Sequence, residues 1–363
     1  MLVRPAPSLR RPVRSLVVAS LAVATVVALA QAPAQAEDAG APGTQVGAAP
    51  TAPTASAAPG TATSSGTAAG GDLVTAGTAD RVPSKAWVSS LWRKTLEPSL
   101  AVPVGWTGSE QACSAGQESS ASRAATLRTI NAMRKLVQLD PVRFDADANV
   151  RARKAALIMS ANDTLTHSPS SSMSCWSSDG QKAAGQSNLA LGIGGARSIA
   201  LYMADPGQYN TAAGHRRWIL NPTTTVMATG STQDANALTV FGLGTSDAQA
   251  RPQFLEWPAR GWFPAELEPD GRWSLSASNR YVSFARASVS VRLVDGKGRL
   301  VRQLPVTVVS RDDRGYGPNT VVFQVGRVAI PKASAVKAYR VSVRGISGGA
   351  ASSYSYTVRL FHP

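Results

Sequence analysis

The chain has 363 residues, with 37 Lys+Arg against 22 Asp+Glu, a formal net charge of +15, three His and two Cys. That length exceeds one ordinary domain and suits two joined by linkers. Past the first 36 residues no stretch is long and apolar enough to cross a bilayer, so no transmembrane helix is expected in the mature protein.

The N-terminus reads as an export signal. Arg4, Arg10, Arg11 and Arg14 form a basic head, an uncharged apolar run extends from Leu16 to Ala30, and Ala34-Gln35-Ala36 offers the small residues that a signal peptidase needs. Residues 1–36 are expected to be a secretory signal peptide, whose removal leaves a soluble protein that is secreted or held at the cell surface. Residues 37–81 are rich in Ala, Gly, Thr, Pro and Ser. Burial there cannot offset the entropy of ordering, which predicts a disordered low-complexity linker. Residues 82–118 form a short N-terminal extension. Within it Trp87, Leu91 and Trp92 fall at i, i+4 and i+5, the spacing of one short helix packed on a neighbour.

A first folded domain is expected over residues 119–248. Leu127, Ile130, Met133 or Arg134, and Val137 make one helical stripe, and Pro141 ends it. A second helix is predicted from Asp145 to Ala161, with Val150, Leu157, Ile158 and Ala161 inward and two acids, Asp145 and Asp147, at its positive end. A third covers Ser198–Ala204 and stops at Asp205-Pro206-Gly207. Residues 225–230 and 237–242 read as two paired strands. Helices followed by antiparallel strands imply an α+β domain. Cys113 and Cys175, the two cysteines of an exported chain, are expected to form one disulfide; closing a loop of roughly 60 residues stabilises by about 4 kcal/mol on chain entropy.

Residues 251–363 change pattern. Short runs alternate apolar with polar residues from Arg272 onward, and Asp295-Gly296 is a hairpin turn. This predicts an all-β, immunoglobulin-like sandwich. Trp257, Trp262 and Trp273 near its start read as a junction or core rather than a glycan platform. Lys+Arg outnumber Asp+Glu by 16 to 15 between Glu37 and Ala250, but by 17 to 7 from Arg251 to the end. Attraction to polyanions therefore belongs to the C-terminal domain. Outside a cell the partners are anionic cell-wall polymer or acidic lipid rather than nucleic acid. A merely solvated arginine-rich surface is the alternative.

The densest polar cluster lies between His167 and Pro222. In order, the chain carries Ile130-Asn-Ala-Met-Arg134, Pro141-Val-Arg-Phe-Asp145, Thr166-His-Ser-Pro169, Ala183-Ala-Gly185 before Asn188-Leu-Ala190, and Gly214-His-Arg-Arg-Trp-Ile-Leu-Asn-Pro222. Over residues 119–247 this resembles the CAP superfamily, which comprises cysteine-rich secretory proteins, antigen 5 venom allergens, plant pathogenesis-related proteins and bacterial exported relatives. The resemblance to a bacterial exported member implies an α-β-α sandwich with a cleft lined by two His and two acidic side chains. His167 and His215 match the histidines. Asp205, in Tyr202-Met-Ala-Asp205, stands as a shorter substitute for one acid, and Ser187 or Gln186 stands where the other belongs.

Two neutral imidazoles with Asp205 as a third ligand can hold Zn²⁺ and leave an open position for water, the arrangement of a metal-dependent hydrolase. With one carboxylate missing, the alternative is a polar ligand cleft in which His167 and His215 are held through Ser187, Asn188 and Asp205. Gly185-Gln186-Ser187 lacks the closing Gly of a nucleophile elbow, and no catalytic residue is assigned. The leading expectation is a non-enzymatic binding module at the cell envelope or in the secreted milieu. A metal-dependent hydrolase and a purely structural extracellular module are the alternatives.

Overall fold

A computed structural model describes residues 45–51, 82–247, 252–312, 314–349 and 351–363. The expected signal peptide, and residues 37–44 and 52–81 of the expected linker, lie outside the described residues. Within that linker β1 (Gln45–Val46) pairs with a strand of the fold, and residues 47–51 continue from it. This departs from the expectation of disorder, and the physical reason is that docking an extended backbone requires no large side chains.

α1 (Lys85–Leu91) starts at Ser84, whose hydroxyl accepts the Trp87 N–H, and runs through one π turn, Trp92–Leu96, into α2 (Glu97–Leu100). The helical segment is thus longer than the short one expected around Trp87. α3 (Ser120–Leu136) is capped by Ser119 and buries Ile130, Met133 and Leu136. Arg134 is buried too. Its guanidinium donates to the carbonyls of Asp140, Ile219, Asn221 and Thr224, and desolvation lowers its pKa to about 10.

β2 (Arg143–Phe144) leads to α4 (Ala146–Ala161), capped by Asp145. The buried face of α4 is Ala148, Ala152, Ala155 and Ala156 with Leu157, Ile158 and Met159, whereas Val150, expected inward, is 42% exposed. α5 (Ser178–Gly185), β3 (Ser187–Leu191), α6 (Ala196–Ala204), α7 (Gly214–Ile219), β4 (Val226–Ser231) and β5 (Ala235–Thr239) follow. The alanine face of α4 reflects close approach: a Cβ on Gly230 of β4 would lie 2.1 Å from Arg153 N.

The sheet order is β1-β3-β5-β4-β2, antiparallel except for the parallel β2–β4 pair. Strand alternation divides its side chains between two cores. Leu189, Leu191, Ala235 and Ala237 pack with the apolar residues of α4 and α5. Ala190, Met227, Leu238 and Val240 pack with Ile130, Met133, Tyr202 and Trp218. Helices therefore cover both faces of an α+β region.

The C-terminal part holds β6 (Phe254–Trp257), β7 (Gly261–Pro264), β8 (Arg272–Ala277), β9 (Ser288–Val294), β10 (Leu300–Gln303), β11 (Val306–Arg311), β12 (Thr320–Val325), β13 (Lys337–Arg344) and β14 (Ser353–Phe361). They form a five-stranded sheet, β10-β9-β13-β14-β7, and a four-stranded sheet, β11-β12-β8-β6. The apolar run from Leu300 to Val309 divides at Leu304-Pro305, and its halves join different sheets; Pro305 has no N–H for a ladder. Trp257 and Trp273 are fully buried. Trp273 meets Tyr339 of the other sheet edge-on, with ring centroids 5.6 Å apart.

Candidate functional site: a buried histidine–aspartate pair and a strand-filled groove

The polar centre forms where two helices meet. α6 ends at Asp205, which turns left-handed (φ 52°) while its N–H bonds Leu201 O at 2.9 Å. Its carboxylate then accepts the His215 Nδ1–H at 2.7 Å and the Arg216 backbone N–H at 3.2 Å, fixing the first turn of α7 and its imidazole together. Both side chains of the pair are 0% exposed. Tyr202 stacks on the imidazole at 5.4 Å and 13°, and its hydroxyl lies 3.1 Å from the carbonyls of Asn188 and Asn236. Burial pushes that phenol well above its usual pKa. Asn188 Nδ2 donates to His215 O at 3.2 Å. His215 Nε2 is buried and without a hydrogen-bond partner, as is Asn188 Oδ1.

Arginines lock this centre to the C-terminal sheets. Buried Arg216 donates to Met203 O (2.8 Å), Ala204 O (3.1 Å) and Ser274 Oγ (3.0 Å), and desolvation lowers its pKa to about 10. Arg272 Nη1 donates to Asp205 O at 2.8 Å and Gly207 O at 2.7 Å. Two carbonyls that end α6 are thereby satisfied by a fork reaching across from α7.

His167 and Ser187 belong elsewhere. The hydroxyl of Ser187 donates to Ala183 O at 2.7 Å and lies 3.0 Å from Thr239 Oγ1. Neighbours on a strand point to opposite faces, so Ser187 faces α5 while Asn188 faces His215. The half-buried ring of His167 lies between two carbonyls, with Nδ1 2.8 Å from Ala184 O and Nε2 2.5 Å from Ala48 O. Among the described residues it shares no hydrogen bond with Asp205, Asn188 or His215. The structure thus unites Asn188, Asp205 and His215 and leaves His167 and Ser187 apart from them.

The groups present do not fit the Zn²⁺ site expected from the two histidines. Asp205 is bonded to His215 and Arg216 through its two oxygens. Among the described residues no three His, Cys, Asp or Glu side chains gather as a metal-holding group. Surface concavities occur elsewhere, one lined by Lys85, Ser89, Arg93 and Lys94, another by Cys113, Lys154, Cys175 and Trp176. Cys113 and Cys175 do form a disulfide, with Cα atoms 4.9 Å apart. It joins the N-terminal extension to the loop that follows His167.

Residues 127–242 match the model of the CAP family, the cysteine-rich secretory protein family. The chain carries a CAP-domain region. No curated protein and no solved structure matches the chain.

Beside the CAP region's histidines, the structure adds residues that motif reading did not place in a site. Along the edge of β3 not taken by β5, β1 lies antiparallel, with Gln45 opposite Leu191 and Val46 opposite Ala190, and residues 47–51 continue from it. Trp218, buried in the core, is also a donor: its indole N–H reaches Pro50 O at 2.6 Å. Gly214 leaves room for this segment, since a Cβ there would lie 2.4 Å from Ala49 Cβ and 2.6 Å from Tyr316 Cδ1. No signal in the Ala/Gly-rich sequence marks this docking, because main-chain groups and a buried methyl make it.

The five-stranded sheet beyond the CAP region carries the positive charge. Arg340 of β13 stands opposite Arg292 of β9 and Thr357 of β14; Arg344 stands opposite Ser288 and Ser353, and Ala338 opposite Arg359. This face thus presents Arg292, Arg340, Arg344 and Arg359 among hydroxyls, with no Asp or Glu at these positions. Like charges directly opposite one another destabilise a sheet.

Proposed function

We propose that the protein is an exported, non-enzymatic binding module whose C-terminal region attaches to an anionic surface at the cell envelope and whose CAP region presents a ligand groove. The observation that carries this reading is the arginine face, where Arg292 and Arg340 are paired across the sheet without a carboxylate between them. A repulsive arrangement of that kind becomes favourable when phosphate or carboxylate groups lie over it. The disulfide is in keeping with an oxidising compartment outside the cytoplasm. The engagement of Asp205 and His215 inside the fold supports a holding role for the CAP region rather than hydrolysis. The contact of Trp273 with Tyr339 supports reading the two C-terminal sheets as an immunoglobulin-like sandwich.

The test titrates the chain from Glu37 onward with isolated anionic wall polymer, and separately with acidic and with neutral lipid vesicles, across a salt series. Binding is expected to fall as salt rises. It is also expected to weaken roughly tenfold or more in an Arg292→Ser/Arg340→Ser variant, at about 1 kcal/mol per removed surface charge. Polymer and acidic vesicles distinguish the two sources of the same anionic chemistry. Binding that ignores both salt and the double substitution sinks the reading.

A further inference from the structure

We propose that the edge of β3 occupied by β1 is a receptor groove for an extended, uncharged peptide of small residues, and that the chain's own segment Gln45–Thr51 is its resident, displaceable occupant. This rests on reading the CAP region as a binding module, and it names the class of ligand.

The contacts follow the main chain. Gly47 N–H donates to Leu189 O at 3.2 Å, extending the antiparallel ladder begun by Gln45 and Val46. Ala48 O lies 2.5 Å from His167 Nε2, and Pro50 O accepts the indole N–H of Trp218 at 2.6 Å. The groove is narrow at Ala49 and Thr51 and admits ordinary contact at Gly47. A Cβ on Gly47 would lie 3.4 Å from Leu165, and Ala49, 7% exposed, sits against Gly214 and Tyr316. Thr51 passes Gly315, where a Cβ would come within 3.1 Å of it. Backbone hydrogen bonds supply the hold and small side chains set the selectivity, which is the logic of strand addition to an open sheet edge.

The segment Gln45–Thr51 contains no charged residue, so no ion pair ties it to this groove. What favours the resident strand is its covalent connection: about 30 residues, Ala52 to Arg81, join it to the rest of the fold. Such a connection gives an effective concentration on the order of millimolar at most. A free peptide making the same contacts therefore meets a competitor of finite strength, and removing that competitor exposes the groove. His167 acquires a role here that a metal site would not give it. Its ring lies between Ala48 O of the bound strand and Ala184 O at the end of α5, the two carbonyls its nitrogens face.

The test uses the chain from Glu37 onward and a variant lacking Gln45–Thr51. The probe is a fluorescent synthetic peptide with the sequence of Gln45–Thr51, followed by anisotropy. The deletion variant is expected to bind the peptide at least about tenfold more tightly than the parent. A peptide methylated on the Gly47 nitrogen, which cannot donate to Leu189 O, is expected to lose binding. His167→Ala in the deletion variant is expected to weaken binding about two- to tenfold, the range for one hydrogen bond. Ala49→Arg in the full-length segment serves as a second route, since its side chain cannot fit against Gly214 and should expel the strand without shortening the chain. A folded deletion variant that binds no peptide, or binds the N-methylated peptide equally well, overturns the proposal. Polymer binding through the arginine face is measured on the same proteins: if it persists while peptide binding fails, only the groove assignment falls.

Discussion

Asp205→Asn tests the polar centre most directly. The carboxylate takes two donors, the His215 Nδ1–H and the Arg216 N–H, through its two oxygens. Asn has the same shape but one oxygen, so in either amide orientation one donor is lost or faces an NH₂ group. If the amide oxygen serves Arg216, the imidazole must move its proton to Nε2, which is buried without an acceptor. The backbone is not disturbed, because Asn tolerates the left-handed conformation that Asp205 adopts at φ 52°. Losing one charge-assisted hydrogen bond and stranding one buried polar group together predict a destabilisation of about 3 kcal/mol. Urea unfolding followed by tryptophan fluorescence at pH 7 should show a lower midpoint with an unchanged slope. In a His215→Phe background the same substitution should matter less, since the Asn oxygen then serves Arg216 alone, and the difference is the coupling energy. A loss below about 1 kcal/mol, or an equal loss in both backgrounds, would refute the assignment.

Two further outcomes follow from the fold. Glu268 accepts from Gly271 N and Trp273 Nε1, and burial raises its pKa above 4.5. A carboxyl raised in the folded state contributes stability that is complete below its unfolded pKa and is lost as pH rises through its folded pKa. Thermal melts at pH 4.5 and 7 should therefore show a smaller loss for Glu268→Gln, which keeps the acceptor oxygen, than for the parent. The disulfide spans 62 residues in sequence, so Cys113→Ala/Cys175→Ala should lower the unfolding free energy by about 4 kcal/mol in urea titration.

The sequence exposed the parts of this protein that depend on punctuation and periodicity. Asp205-Pro206-Gly207 ends a helix because proline cannot continue it, and the two strands after residue 225 showed in their apolar runs. Ser187 was misplaced because no strand was expected there. Once β3 exists, strand alternation alone sends Ser187 and Asn188 to opposite faces. Val150 was expected inward from its apolar side chain alone, whereas α4 buries the face carrying Ala148, Ala152, Ala155, Ala156 and Met159 and leaves position 150 on the outer side. The docked strand from Gln45 was illegible for a different reason. Backbone donors and acceptors are the same in every sequence, so a contact made through them leaves no trace in composition.

Helix α7 has all six of its residues, Gly214 to Ile219, buried. Its Gly214 faces Ala49 and Tyr316, its Arg216 reaches Ser274, and Arg217 donates to Pro318 O. One short helix therefore owes its environment to three stretches far apart in the sequence. A C-terminal lobe without a hydroxyl at position 274 would leave Arg216 Nη1 without the partner it has here. The lobes are consequently poor candidates for exchange as independent modules, because a substitution at Ser274 or Tyr316 is felt by a histidine-bearing helix in the other lobe.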